Sequence, residues 1–178
     1  MLPLRPTKTR AEVVKTAKSW LGTPYHHMGR IKGVGVDCAM FPLEVYREAG
    51  LIGDISVPYY PQDWMLHRSE EIYLRIVQQH ARETEPAAVA AGDFVLYHFG
   101  RCWSHGAIVL EWPLIIHAVM QHGVILSDGE KDGMLVGRRR RFFSVYEYCH
   151  SEPLVLRRGI PTEPMQHGFS RDSSLRSE

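Results

Sequence analysis

The hydrophobic pattern of this chain changes period once, near residue 90, and that change restricts the fold more than any other feature. Upstream of it, apolar residues recur at helical spacing. Val13, Val14, Ala17, Trp20 and Leu21 share one face of a helix expected over residues 10–21, which Gly22 and Pro24 end. A second helix is expected over residues 38–49, capped by Asp37, stopped by Gly50, with Phe41, Val45 and Ala49 on its apolar face. A third is expected over residues 69–82, with Glu70 and Glu71 at its positive end. Downstream, short alternating segments are divided by turn residues. They read as strands over residues 93–99, 104–111, 114–118, 123–126, 142–148 and 154–156. Helices first and a meander of strands afterwards make an α+β domain, with N-terminal helices packed on an antiparallel β-sheet.

Composition narrows the function. The 178 residues suit one domain, expected over residues 1–162, followed by a polar, serine-rich tail over 163–178 expected to be disordered. Lysine and arginine number 21 against 20 aspartates and glutamates, so nothing global favours nucleic acid or anionic lipid. The longest mostly apolar stretch, residues 107–116, is broken by Glu111 and Pro113, which excludes a helical membrane span. The opening MLPLRPTKTR has no apolar core of a secretory leader, so a cytoplasmic or particle-borne location is expected. Three cysteines are too few for a disulfide framework.

Cys38 falls where a glycine-rich loop turns into a helix, and exposed N–H groups there favour a thiolate. Asp37 beside it opposes that charge, so a reactive thiol needs a histidine partner. Pro42 cannot donate to the carbonyl of Cys38, and Met40 and Phe41 add bulk nearby. A buried structural cysteine is the plainer alternative. Among the ten histidines, a hairpin turning on Glu111 sets His105 opposite His117 on one side of the sheet, and Ile108 opposite Leu114 on the other. One imidazole can then orient the other as a base. The alternatives are two partly exposed strand histidines, or a zinc site drawing on Cys102, His105, His26, His27, His117 and His122, although no CxxC or HExxH pair supports zinc. The run Arg138–Arg141 reads as a solvated face, or as a contact for an anionic polymer. The glycines between Gly29 and Gly35 lack the context of a nucleotide fingerprint.

The ordered set LGTPYHHMG, GVDCA, VYREAG, AGDFVLYHFG, SHGAIVL, IIHAV and GVI resembles the NlpC-like cell-wall cysteine peptidases of the papain superfamily. The resemblance covers roughly residues 13–126. It implies a papain-like fold and hydrolysis of an amide bond in the peptidoglycan stem peptide, between D-γ-glutamate and a diamino acid. It implies Cys38 as nucleophile, His105 as base and His117 as the residue orienting it, and places Tyr25, Asp37 and Ser104 at the oxyanion or substrate. No metal or cofactor is implied. Where the family commonly reads Asp-Cys-Ser-Gly, this chain reads Asp37-Cys38-Ala39-Met40, with Pro42 close behind. The long connection over residues 58–82 resembles a phage-associated branch, which implies phage tail-tip partners. A non-catalytic tail-assembly protein and a cytosolic muropeptide-recycling peptidase are the alternatives.

Overall fold

The computed structural model describes residues 9–63, 66 and 71–146. The expected strand at 154–156, the end of that at 142–148, Cys149 and the tail at 163–178 lie outside the described residues. Helix α1, Arg10–Lys18, opens on a capping box in which the Thr9 hydroxyl accepts from the Glu12 N–H and the Glu12 carboxylate from the Thr9 N–H. Strands β1, Arg30–Ile31, and β2, Gly35–Val36, form a small antiparallel ribbon. Helices α2, Met40–Glu48, and α3, Ile72–His80, follow. Strands β3, Arg82–Thr84; β4, Phe94–Phe99; β5, Cys102–Glu111; β6, Leu114–Val119; β7, Gly123–Asp128; and β8, Arg140–Ser144, build one antiparallel sheet in the order β3-β8-β4-β5-β6-β7.

This is the α+β arrangement expected, with differences at several element ends, among them α1, which stops at Lys18 rather than at residue 21. Residue 82 belongs to a strand rather than to the third helix. β3 is an edge strand of polar residues, Arg-Glu-Thr, which carry no alternating apolar signal. β8 begins at Arg140 and ends at Ser144, because four arginine positions hid its start. β5 starts at Cys102, and β7 runs on to Asp128. Finally, α2 starts at Met40 rather than Cys38. The Phe41 N–H bonds to the Asp37 carbonyl at 2.9 Å, but Pro42 has no N–H for the carbonyl of Cys38, so the ladder is interrupted there.

The sheet carries apolar side chains on both faces. Phe94, Leu96, Ile108, Ile116 and Phe143 meet Val13, Ala17, Phe41 and Val45 of the helices. Val95, Tyr97, Ala107, Val109, Ile115 and Phe142 pack with Leu135 on the other side. Met40, expected to crowd the thiol, is instead buried in the helical-face core. Glu44 is buried on α2 and held by Arg30 of β1 at 2.6 Å and by Arg47 one turn on.

The loop between α1 and β1 is tied to the sheet by two backbone bonds, Gly22 N–H to Val124 carbonyl and Val124 N–H to Thr23 carbonyl, both 2.9 Å. Gly123 permits this approach: it has a φ of +72°, and a β-carbon there would lie 2.3 Å from the Thr23 carbonyl oxygen. Gly123→Ala is expected to destabilise the domain by about 2 kcal/mol or more, as measured by urea denaturation.

Candidate active site

The hairpin of β5 and β6 shows how the two histidines come together. Its turn falls on Trp112 and Pro113, with Glu111 opposite Leu114, rather than on Glu111 as expected. Alone, that would shift the pairing by an odd number and put the histidines on opposite faces. An irregularity at Leu110 takes one residue back, so Ile108 pairs with Ile116 and Val109 with Ile115. The net displacement is even. His105 and His117 therefore keep one face, as diagonal neighbours instead of the directly opposed pair expected.

Their rings are hydrogen-bonded, His105 Nε2 to His117 Nδ1 at 2.8 Å. His117 Nε2 in turn meets the hydroxyl oxygen of Ser127 at 2.9 Å. The same diagonal step recurs on β7: His117 pairs with Ile125, and Ser127 lies two residues beyond. Ser127 is absent from the sequence candidates, since the strand expected over residues 123–126 stops one residue short of it. All three side chains are buried. Among the described residues, no hydrogen bond falls on the other ring nitrogen, His105 Nδ1.

That face of the sheet is not the face on which α2 packs. His105 alternates with Gly106 and lies against Tyr97 and Phe99, whereas Cys38 arrives from the helical side. The two approach where the β5–β6 ladder opens, since among the described residues no pair beyond Ile108 and Ile116 continues it in that direction. The backbone groups this frees on β5 receive the sulfur. The Cys38 thiol faces the Ser104 carbonyl at 3.6 Å, and the Gly106 N–H points at it from the other side of His105.

Electrostatics keep both groups neutral at rest. Burial, reinforced by the charge of Asp37, raises the half-buried Cys38 thiol well above its ordinary value, against the lowering effect of the Gly106 and Cys38 N–H groups. Burial also holds His105 well below the usual imidazole range, and His117 and Arg138 push the same way. His117 is lowered to about 4, again mainly by burial.

Asp37 is the structural knot of the site. One carboxylate oxygen accepts from the N–H groups of Ala39 at 3.0 Å and Met40 at 2.8 Å. The other accepts from the Met28 N–H at 2.7 Å and the Tyr60 hydroxyl at 2.6 Å. The carboxylate thus caps the turn that leads into α2, whose own N-cap position is Ala39 rather than the Asp37 expected. Tyr25 lines the cavity in front of Cys38 together with Asp37, Tyr60, Tyr73 and Ser104. Burial, then the proximity of Cys38 and Asp37, raises its phenol, so its hydroxyl stays protonated. The Tyr73 hydroxyl donates to the Cys38 carbonyl at 3.1 Å. Tyr60 and Tyr73 come from the connection over residues 58–82, and neither is among the candidate site residues read from the sequence.

Of the other candidates, Cys102 is buried in the helical-face core, and its thiol is pushed up to about 11, first by burial. Among the described residues no three His, Cys, Asp or Glu side chains are grouped as metal ligands. In the arginine run, Arg140 pairs with Glu130 at 2.6 Å, Arg141 pairs with Glu83, and Arg138 lies over the Phe99 ring at 3.7 Å. No helix among the described residues is long and apolar enough to cross a membrane.

The profile of the NlpC/P60 family matches residues 22–137, more than half of the chain. The chain belongs to the NlpC/P60 family. Solved NlpC/P60 structures share its papain-like fold. The NlpC/p60 domain of the peptidoglycan hydrolase SagA is 19% identical, with a TM-score of 0.53 over 75% of this chain and 97% of that one. An NlpC/P60 family protein from Bacillus cereus ATCC 10987 is 20% identical, with a TM-score of 0.54 over 76% of this chain. Here the chain spans only 40% of the relative's length. RipD from Mycobacterium tuberculosis, described as a non-catalytic NlpC/p60 domain protein adapted to peptidoglycan binding, is 15% identical, with a TM-score of 0.50 over 79% and 99%. No curated protein matches in sequence. A peptidoglycan hydrolase and a protein described as non-catalytic thus both share this fold.

Burial of neutral histidines is expected to make this NlpC/P60 domain acid-sensitive. His117 titrates near 4 when folded and near 6.5 when unfolded, so its share of stability is complete above the higher value and is lost as pH falls towards the lower. That share is on the order of 3 kcal/mol. Urea titrations between pH 7 and 4 are expected to show this loss, with a shallower decline for His117→Gln.

Proposed function

We propose that this chain is a cysteine peptidase that hydrolyses an amide bond in peptidoglycan stem peptides. The observation that carries the reading is the hydrogen-bonded row His105–His117–Ser127, whose free nitrogen belongs to the residue flanked by the two backbone groups that hold the Cys38 sulfur. A structural cysteine or a pair of surface histidines needs no such arrangement.

Because thiol and imidazole both rest neutral, His105 Nδ1 takes the thiol proton as sulfur attacks the carbonyl carbon. His117 accepts the Nε2–H of His105 and donates its own Nε2–H to Ser127, which sets the tautomer needed at Nδ1. In this reading the Cys38 N–H and the protonated Tyr25 hydroxyl stabilise the tetrahedral oxyanion. His105 then gives its proton to the leaving amine. Water, activated by the same imidazole, releases the thioester and regenerates the thiol. Asp37 holds the nucleophile's turn in place, and Ser104 supplies the carbonyl against which the thiol lies. None of these steps uses a metal.

The bond favoured is that between D-γ-glutamate and the diamino acid. A role at a phage tail tip, with tail proteins as partners, is the narrower part of the proposal and draws on the long connection over residues 58–82. Digestion of purified sacculi, with product masses read out, tests the reaction and the bond together. Cys38→Ala is expected to abolish release of products. Retained binding without products from the wild type would instead favour a peptidoglycan-binding module.

Removing the base in His105→Ala is expected to cost about 100-fold or more in kcat/KM. His117→Ala is expected to cost less, with partial recovery in His117→Asn or His117→Gln, whose amide oxygen accepts the same ring N–H. Since His105 is held low, the ascending limb of kcat/KM against pH is expected below the ordinary histidine value of about 6.5. Wild-type kinetics in His117→Ala would remove it from the mechanism. Hydrolysis is also expected to survive EDTA; loss restored by zinc would reverse that reading.

A further inference from the structure

The carbonyl of Cys38 is a helix acceptor deprived of its natural donor. The backbone around it is already helical, since the Phe41 N–H bonds to the Asp37 carbonyl and the Asp37 side chain caps the Ala39 and Met40 N–H groups. The next bond in the series would come from residue 42, which is proline. A carbonyl left unpaired beside a catalytic thiol lets the first turn relax, and with it the Cys38 N–H and sulfur. In this structure the missing donor is replaced from another element: the Tyr73 hydroxyl of α3 bonds the Cys38 carbonyl at 3.1 Å.

Two further features hold Tyr73 there. Its hydroxyl rests on the α-carbon of Gly106, where any β-carbon would lie 2.1 Å from the phenolic oxygen. The start of α3 is tied to the same strand by Glu71, whose carboxylate accepts from the Trp103 N–H at 3.0 Å. Gly106 itself turns its N–H to the Cys38 thiol. One glycine therefore admits the hydroxyl on its side-chain face and meets the sulfur along its backbone edge.

We propose that Tyr73 is a positioning residue for Cys38, replacing in trans the backbone hydrogen bond that Pro42 removes, so that α3 is part of the nucleophile's mount. The proposal rests on the reading of Cys38 as nucleophile. It makes Pro42, Tyr73 and Gly106 a dependent set: proline after the nucleophile is tolerated because the tyrosine is present, and the tyrosine fits because residue 106 has no side chain.

The dependence can be reversed. Tyr73→Phe keeps the ring and deletes the donor. It is expected to lower kcat about 10-fold with little change in KM, because geometry at the reacting atom is lost while the cavity keeps its shape. It is also expected to slow alkylation of Cys38 by iodoacetamide at pH 7 and to move the alkylation–pH profile upward, since the sulfur loses its alignment with the Gly106 N–H. Adding Pro42→Ala restores an N–H at residue 42 and should return both rates to near wild type. Pro42→Ala alone should change neither. Should Tyr73→Phe fail to fold, as judged by thermal denaturation, the double variant carries the test and must both fold and react.

The idea is overturned if Tyr73→Phe matches the wild type in turnover and in the alkylation profile, or if Pro42→Ala leaves a folded double variant as slow as the single one. Alkylation is mapped to Cys38 by peptide mass and needs no substrate. A wild type that releases nothing from sacculi would therefore defeat the hydrolase reading while the alkylation rates still decide the role of Tyr73.

Discussion

The opening of one sheet ladder is the constraint on which the rest of the site depends. Cys38 belongs to the helical side of the sheet and His105 to the other, and a continuous sheet would keep them apart. Beyond Ile108 and Ile116 the β5–β6 ladder stops, and the freed carbonyl of Ser104 and N–H of Gly106 take the sulfur between them. Backbone groups that are buried and unpaired would be costly, so the thiol and the opened strand satisfy a mutual need. The split also explains why the residue after His105 is glycine. On the helical face that position has no space for a side chain, because Tyr73 and Phe94 already fill it.

Holding this geometry falls to Asp37. A buried carboxylate is expensive unless its oxygens are bonded, and here four donors from a loop, the turn after Cys38 and Tyr60 converge on it. Its charge opposes thiolate formation at the neighbouring residue. The structure accepts that opposition and keeps thiol and imidazole neutral; in the proposed mechanism, proton transfer then accompanies attack instead of preceding it. His117 and Ser127 extend the same logic: two neutral rings and a hydroxyl can share protons in a buried row, where a charged third member would carry a desolvation cost.

Much of this was legible in the chain. Cys38 and Asp37 could be located from the turn into a helix, and the two histidines could be placed on one face from strand alternation. The face was right although the turn was placed wrongly, because the displaced turn and the irregularity at Leu110 combine to an even shift, and strand faces repeat every two residues. Ser127 was lost for a smaller reason, a strand ended one residue early. β3 was lost because an edge strand of Arg-Glu-Thr faces solvent and shows no apolar alternation. Met40 lies two residues from Cys38 and so reads as bulk near the thiol, whereas the turn sends its side chain into the core.

Local pattern therefore determined the kind of domain, the helix that presents Cys38 and the residue types able to do acid–base work, since period, capping and turn chemistry act over a few residues. Tertiary structure alone decided what surrounds those residues. The donor for the Cys38 carbonyl is Tyr73, thirty-five positions away, and the Tyr60 hydroxyl that completes Asp37 lies twenty-three away. Such partners are chosen by where buried polar atoms come to rest once helices pack on the sheet. No periodicity encodes that distance, because the requirement is only that each buried group find a partner, and the fold determines which one is within reach.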